Sequence, residues 1–349
     1  MTANSELQQQ VSRLQRRYDQ LRDKAAFTEA ARKLGETATG ISGMPGEIQK
    51  LRDRGYAFAG YLGSRAEALQ AQWNEVRERI DRQVQEEVER LRGAVAKLDP
   101  LVAKMAAPGA AEAGVRHLVT QVEGQLDALE SEVEGAEKRI DALYGHVDRD
   151  LNEITQQIRK FNWYMDMADE ATFDFGATEA VYMVAKAEWV KTGKGKDDPD
   201  GLIYITDQRL IFERREKEGG FLGFGGKKVQ GIAWEVPLAA IADVKAEKKG
   251  MLGGKDMIYL EFSSGGPGNP TTLEVKGGIN ANWYAQQLRR AIAGEIDQER
   301  ALEVDPGVLE AVRSAPTECA SCGAPFSMPI TRGMSQIVCE YCGAVTRIG

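Results

Sequence analysis

The apolar residues of the first half of the chain fall on two long lines with a 3.5-residue period, and this constrains the fold more than any other feature. One line runs Leu62, Ala66, Leu69, Trp73, Val76, Ile80, Val84, Val88, Leu91, Val95, Leu98, Val102, Met105. The other runs Val115, Leu118, Val122, Leu126, Leu129, Val133, Ala136, Ile140, Leu143, Val147, Leu151, Ile154, Ile158, Phe161, Met165. Steps of four and three alternate, with an extra four near Val84, Leu126 and Leu151. Such spacing is a coiled-coil seam that unwinds locally. Pro108-Gly109 is a turn signal between the two lines. The expectation is an antiparallel helical hairpin, each arm roughly 80–90 Å long. Pro100 should kink or end the first arm near its tip.

A further amphipathic helix is expected over residues 5–34, with Leu7, Val11, Leu14, Tyr18, Leu21 and Ala25 on one face. The glycine-rich stretch 35–46 should break it, and Pro45 suits the first turn of a new helix. The helical coiled-coil region is therefore expected over 1–170, with hairpin arms at about 45–106 and 110–170. The arginines of the first helix suit either a membrane surface or the solvated face of a third strand in the coiled coil; the latter is favoured.

Residues 172–298 change character. Strands are expected near 179–191, 201–206, 209–214, 230–236, 241–248, 257–262 and 271–275, separated by glycine-rich turns. Helical spacing returns over 280–296, with Trp283, Leu288 and Ile292 as the expected buried positions. Short antiparallel strands closed by one helix predict a small barrel or bent sandwich. The stretch Gly201-Leu-Ile-Tyr-Ile-Thr-Asp-Gln-Arg-Leu-Ile-Phe212 resembles the second and third strands of GRAM and bacterial pleckstrin-homology-like domains. Val236-Pro-Leu-Ala-Ala-Ile241 resembles the family's strand entry, and 283–292 its closing helix. The resemblance spans about residues 175–296 and implies a lipid-, membrane- or protein-binding module without an active site. The hairpin resembles phage-shock protein A-type proteins only generically, in shape.

Residues 299–316 are expected to form a linker, and 317–349 a separate small unit. That unit holds Cys319-x-x-Cys322 and, after sixteen residues, Cys339-x-x-Cys342, each pair followed by glycine. Each Cys-x-x-Cys turn presents two thiolates to one side, and a hairpin joins the turns into a closed tetrahedron for structural Zn2+. So short a segment cannot fold by burial alone, so the metal must supply most of its stability. The pattern resembles the zinc-ribbon family. A closed four-thiolate site leaves no position for a substrate, so this metal is expected to be structural.

The loop 219–228 carries Phe221, Leu222 and Phe224 beside Lys227 and Lys228; a second turn carries Met251 and Leu252 between lysines. Apolar tips with a basic collar suit an anionic membrane or a partner, at about 1 kcal/mol per cation; folding back onto the protein is the competing reading. His117 and His146 are expected to be exposed helix residues, and no nucleophile, acid–base pair or phosphate loop is apparent.

Composition narrows the function. With 45 Lys and Arg against 53 Asp and Glu, the net charge of −8 opposes coating of nucleic acid. The first ten residues lack a basic start and an apolar core, so no secretory signal is expected. Four cysteines at metal spacing suit a reducing compartment. The expectation is thus a multidomain α+β protein, cytoplasmic or peripheral at the inner face of a membrane. It is expected to be a non-enzymatic adaptor that tethers protein partners, or copies of itself, through the coiled coil. The alternative is a nucleic-acid-associated regulator reading through the ribbon, where Arg332, Arg347, Phe326 and Tyr341 are available.

Overall fold

The computed structural model describes residues 3–108, 111–193, 197–218, 227–250 and 254–348. The element order is α1 (Ala3–Ala25), α2 (Thr28–Asp53), α3 (Tyr61–Met105), α4 (Glu112–Asp169), seven strands, α5 (Ala281–Ile292), α6 (Pro306–Ser314) and two short strands. The seven strands are β1 (Val181–Trp189), β2 (Asp200–Thr206), β3 (Arg209–Glu218), β4 (Lys227–Pro237), β5 (Ile241–Lys249), β6 (Lys255–Phe262) and β7 (Thr271–Val275). The last pair is β8 (Gln336–Val338) and β9 (Val345–Arg347). Two compact units result: residues 1–46 with 63–156, and residues 47–62 with 157–349.

In the first unit, α3 and α4 form the hairpin. Ion pairs fix its antiparallel sense: Arg65 meets Glu153 at 3.2 Å, Arg139 meets Glu87 at 2.6 Å, and Arg90 meets Glu132 at 2.7 Å. As residue numbers rise on α3, their partners' numbers fall on α4. Helix α1 runs parallel to α4, with Arg13 near Glu123 and Arg17 on Asp127. Tyr18 of α1 reaches Asp99 of α3 by a short hydrogen bond. Most of the two apolar lines are buried, but Val84 and Val88 are only half-buried. Glu87 takes that place in the interior, its carboxylate closed by Arg139 and Arg90. The hydrogen bond from Arg139 does most to hold its pKa below the usual glutamate range.

The first helical boundary differs from expectation. The helix does not run over 5–34 and break at 35–46; it breaks at Ala26-Phe27, and α2 continues through the glycines and Pro45. Phe27 adopts a positive φ of 51° and buries its ring. The glycine stretch is carried by its spacing: Leu34, Thr37, Ile41 and Met44 are buried on one stripe. Gly40 lets Leu151 of α4 lie where a Cβ would be 3.2 Å away. Tertiary packing along that stripe outweighs weak helix propensity. The first hairpin arm accordingly starts at Tyr61, not at 45, and α3 contains Pro100 without ending there.

The second unit is built on one antiparallel sheet in the order β4-β3-β2-β1-β7-β6-β5. No ladder joins β4 to β5 among the described residues, so hydrogen bonding does not close the expected barrel. The sheet curls instead: Trp234 on β4 packs against Phe262 on β6, with ring centroids 6.4 Å apart. Phe212 stacks on Trp234, and Trp189 meets both edge-on. Strand β1 is buried on both faces, because its outer face is covered by the segment after α2. There Phe58 packs on Tyr182, and Tyr56 donates to the Tyr182 carbonyl at 3.1 Å. Helix α5 is capped by Asn280 and packs on β5 and β6. It buries Tyr284, Ala285, Leu288 and Ala291; the expected core positions Trp283 and Ile292 are exposed and half-buried. Leu288 is buried as expected, and Tyr284 and Ala291 take the places expected of Trp283 and Ile292.

The segment expected to be a linker, 299–316, is partly structural. The Glu299 carbonyl accepts from Gly60, and the N–H groups of Ala301 and Leu302 reach the Ala57 carbonyl. Arg300 pairs with Asp207, whose carboxyl is pushed up by burial against the pull of the Ala180 N–H and of Arg300. Residues 306–314 then form α6, capped by Asp305 with Pro306 in its first turn. The division between the two units therefore passes through α2, α3 and α4 rather than after residue 170.

Candidate metal centre

The final segment folds around two matched turns. Gly323 donates to the Cys319 carbonyl and Gly343 to the Cys339 carbonyl, each at 2.8 Å. Both glycines have φ of 73°, the left-handed conformation that glycine adopts without strain. Cys319 and Cys339 also donate backbone N–H to the carbonyls of Ala324 and Ala344. Strands β8 and β9 pair antiparallel, Val338 opposite Val345, and close the second turn as the bridge between Glu318 and Pro325 closes the first.

This brings the four sulfurs within 4.8 Å of one another. Cys319 Sγ lies 3.6 Å from Cys342 Sγ, and Cys322 Sγ 3.6 Å from Cys339 Sγ. These separations are far longer than the roughly 2.05 Å of a disulfide. They approach the edge of about 3.8 Å in a tetrahedron of sulfurs around a metal at about 2.3 Å. The backbone N–H of Ser321, with that of Cys322, lowers the Cys319 thiol to about 6. Cys322, although the Ala324 N–H favours its thiolate, is pushed up to about 12 by the adjoining sulfurs of Cys342, Cys339 and Cys319. Four thiolates this close repel unless a cation neutralises them, so the donor set fits a metal ion. Cys319 and Cys339 are buried, Cys322 and Cys342 exposed.

The four-cysteine segment is also hydrogen-bonded to the residues that precede β1. Arg332 donates from its backbone to the Phe175 carbonyl at 3.0 Å and from its guanidinium to the Glu179 carbonyl at 2.7 Å. Ala177 donates to the Ile330 carbonyl. The Glu179 carboxylate, almost fully buried, is clamped by Arg209 and by the Gly176 N–H. Sequence reasoning offered Arg332 as a nucleic-acid contact and missed this role, since nothing local to residue 332 points to residues 175–179.

A second buried carboxylate closes the sheet onto α4. Glu213 accepts from Arg215, from the N–H and hydroxyl of Thr172, from Tyr204 and from Gln230. Burial alone would raise its pKa, but these donors, Arg215 foremost, hold it below the usual range. Asp198, expected only as a turn residue, is buried and accepts from the N–H groups of Lys191 and Thr192. His117 and His146 are exposed on α4.

The two apolar loops divide differently. Phe221, Leu222, Phe224, Met251 and Leu252 lie outside the described residues. Lys227 and Lys228 begin β4, their backbone paired with Glu218 and Lys217. In the antiparallel order, β3 and β4 converge on their connection in the same sense as β1 and β2. Strands β5 and β6 converge in the opposite sense. No helix among the described residues is long and apolar enough to cross a membrane.

No protein-family model matches the chain, and no curated protein matches it. Among solved structures it is similar to a pleckstrin homology domain from Shewanella amazonensis, at 17% identity over 38% of this chain and 96% of that one, with a TM-score of 0.23. It is similar to a protein with a pleckstrin-homology domain from Shewanella loihica, at 18% identity over 38% and 90%, with a TM-score of 0.22. It is also similar to the DH/PH domains of p115-RhoGEF, at 11% identity over 86% and 99%, with a TM-score of 0.24.

Proposed function

We propose that this protein is a non-enzymatic adaptor: a helical, coiled-coil-type part for protein or self-association, a pleckstrin-homology-like module for an anionic membrane or a protein, and a zinc ribbon that braces the module. The observation that carries this reading is the way its buried charge is spent. Glu87, Glu179, Glu213 and Asp207 each sit against an arginine, and Glu188 sits against Lys276. Acid–base chemistry needs such groups to converge, unpaired, on a substrate; here they lock elements together. The four-sulfur set favours zinc, and a closed thiolate tetrahedron supplies a cross-link rather than a reaction. Seven antiparallel strands followed by a capping helix support the pleckstrin-homology-like reading. The guanidinium of Arg332, one of the few cations that a nucleic-acid reader would use, is held in place by the Glu179 carbonyl.

Membrane docking is assigned to the side where the β1–β2 and β3–β4 connections leave together, with Lys191 beside Trp189 and Lys227–Lys228 at the start of β4. The β5–β6 turn with Met251 and Leu252 leaves on the other side and is assigned to a protein partner. Sedimentation with vesicles of phosphatidylcholine alone, or of phosphatidylcholine with phosphatidylserine, tests this. Binding to the anionic vesicles, reduced at least tenfold by Phe221→Ser with Phe224→Ser, is the expected result. Equal sedimentation of the variant and the parent protein would reject the assignment.

A further inference from the structure

A cavity of about 310 Å³ opens in the sheet-bearing unit, walled by Tyr56, Tyr61, Phe161, Tyr164, Tyr182 and Trp283. Three structural pieces meet there: the segment after α2, the last turns of α4, and the outer face of α5 over β1. Three of the four lining tyrosines have their hydroxyls engaged. Tyr56 donates to the Tyr182 carbonyl, Tyr182 to Gln287 Oε1 at 2.6 Å, and Tyr61 meets Gln157 Oε1 at 3.2 Å. The walls therefore offer ring faces more than free donors. Tyr61 and Trp283 are 39% and 38% exposed, which is unusual for such large side chains here, and both lie on this cavity.

The cations of the lining are partnered unequally. Arg290 is held by Glu299 at 2.5 Å and has Glu295 at 3.7 Å, while its other nitrogen donates to Gln287. Lys160 makes no ion pair among the described residues. The residue is exposed, and its ammonium lies 4.3 Å from the Trp283 ring centroid and 5.7 Å from that of Tyr164. Arg290 is thus matched by Glu299 and Glu295, and Lys160 is the one cation of the lining without a carboxylate partner among the described residues. A cation resting on an aromatic face gains less than one that meets a carboxylate in the same partly desolvated setting.

We propose that this cavity is a binding site for a small amphipathic monoanion, an aromatic or short-chain carboxylate. Its carboxylate pairs with Lys160, and its apolar body lies against Trp283, Tyr164 and Tyr61. The volume sits at the small end of the range for small-molecule pockets, which suits a ligand of one or two rings. One positive charge matches one negative charge, and a dianion would leave the second charge facing Glu299.

Calorimetric titration of the full chain with 2-naphthoate, with octanoate and with the uncharged 2-naphthalenemethanol tests this. The expected result is saturable binding of one 2-naphthoate per chain, at least tenfold tighter than the neutral analogue. Lys160→Met should abolish that preference and Lys160→Arg should keep it, while Trp283→Leu should weaken both aromatic probes. Lys160 reaches solvent, so its variants are expected to fold; circular dichroism checks this. The comparison of acid with alcohol on the unaltered protein stands even if a variant fails to fold. Equal binding of 2-naphthoate and its alcohol, unchanged binding in folded Lys160→Met, or no saturable binding of either carboxylate would overturn the proposal.

Discussion

Single residues decide how the sheet unit closes, and two of them make sharp tests. Glu213 is fully buried beneath Arg215, Thr172, Tyr204 and Gln230, joining β3 to the end of α4. Removing its charge leaves Arg215 without its closest carboxylate, so Glu213→Gln should cost about 3 kcal/mol in urea unfolding. Its pKa is lower folded than unfolded, so its contribution is complete above the unfolded value of about 4.5 and fades as pH falls through the folded value. Glu213→Gln should therefore flatten the acid limb of the stability curve, as read by thermal melts between neutral pH and acid. Gly201 is the second test. A Cβ there would stand 2.1 Å from the Glu213 carbonyl oxygen and 3.0 Å from the Phe212 ring. Gly201→Ala should destabilise by about 1–3 kcal/mol or more. Gly231→Ala, with nothing within 4 Å of the new atom, should be nearly neutral in the same melts. The sequence marks Gly201 as part of a motif, but the clash that requires it comes from the opposite strand.

At the scale of elements, regular spacing was readable and its interruptions were not. The lines of α3 and α4 appear in the interior much as their period implies. The break between α1 and α2 lies before the glycines and not among them, because burial of the stripe of Leu34, Thr37, Ile41 and Met44 outweighs the weak helix propensity of glycine and proline. Rank of propensity cannot report that a partner helix buries that stripe. The cysteine cluster is the opposite case: sixteen residues between two Cys-x-x-Cys turns suffice to place four sulfurs within 4.8 Å. Metal analysis of the purified protein should find one zinc per chain, and Cys319→Ser or a strong chelator should release it. Amide exchange should then rise to unprotected rates over 317–348. Because Ile330 and Arg332 hold Phe175, Ala177 and Glu179, protection should also fall at 175–179 while the rest of the sheet keeps its own. Unchanged exchange at 175–179 after metal removal would show that the ribbon does not brace the sheet.

For the molecule as a whole, the proposed adaptor role requires the helical unit to associate, and its exposed faces carry ion pairs at i,i+3 and i,i+4 spacing. Light scattering across a concentration series should give a mass above 38.3 kDa that falls on dilution. A concentration-independent monomer would remove self-association and leave a heterologous partner. By itself the sequence determined what is local or periodic. The hairpin helices follow from a repeat every 3.5 residues, the strands from alternation between turns, and the sulfur cluster from fixed spacing, all of which are set by neighbours along the chain. Only the tertiary structure decided the rest. It placed Tyr56 and Phe58 against β1, turned the expected linker into a strap on Ala57, bonded Arg332 to the carbonyls of Phe175 and Glu179, buried Glu87 in a seam that reads as valine, and gathered Lys160 and Trp283 around one cavity. Each of these joins residues tens to hundreds of positions apart. Their energy comes from burial and from charge compensation between surfaces that meet only when the chain has folded.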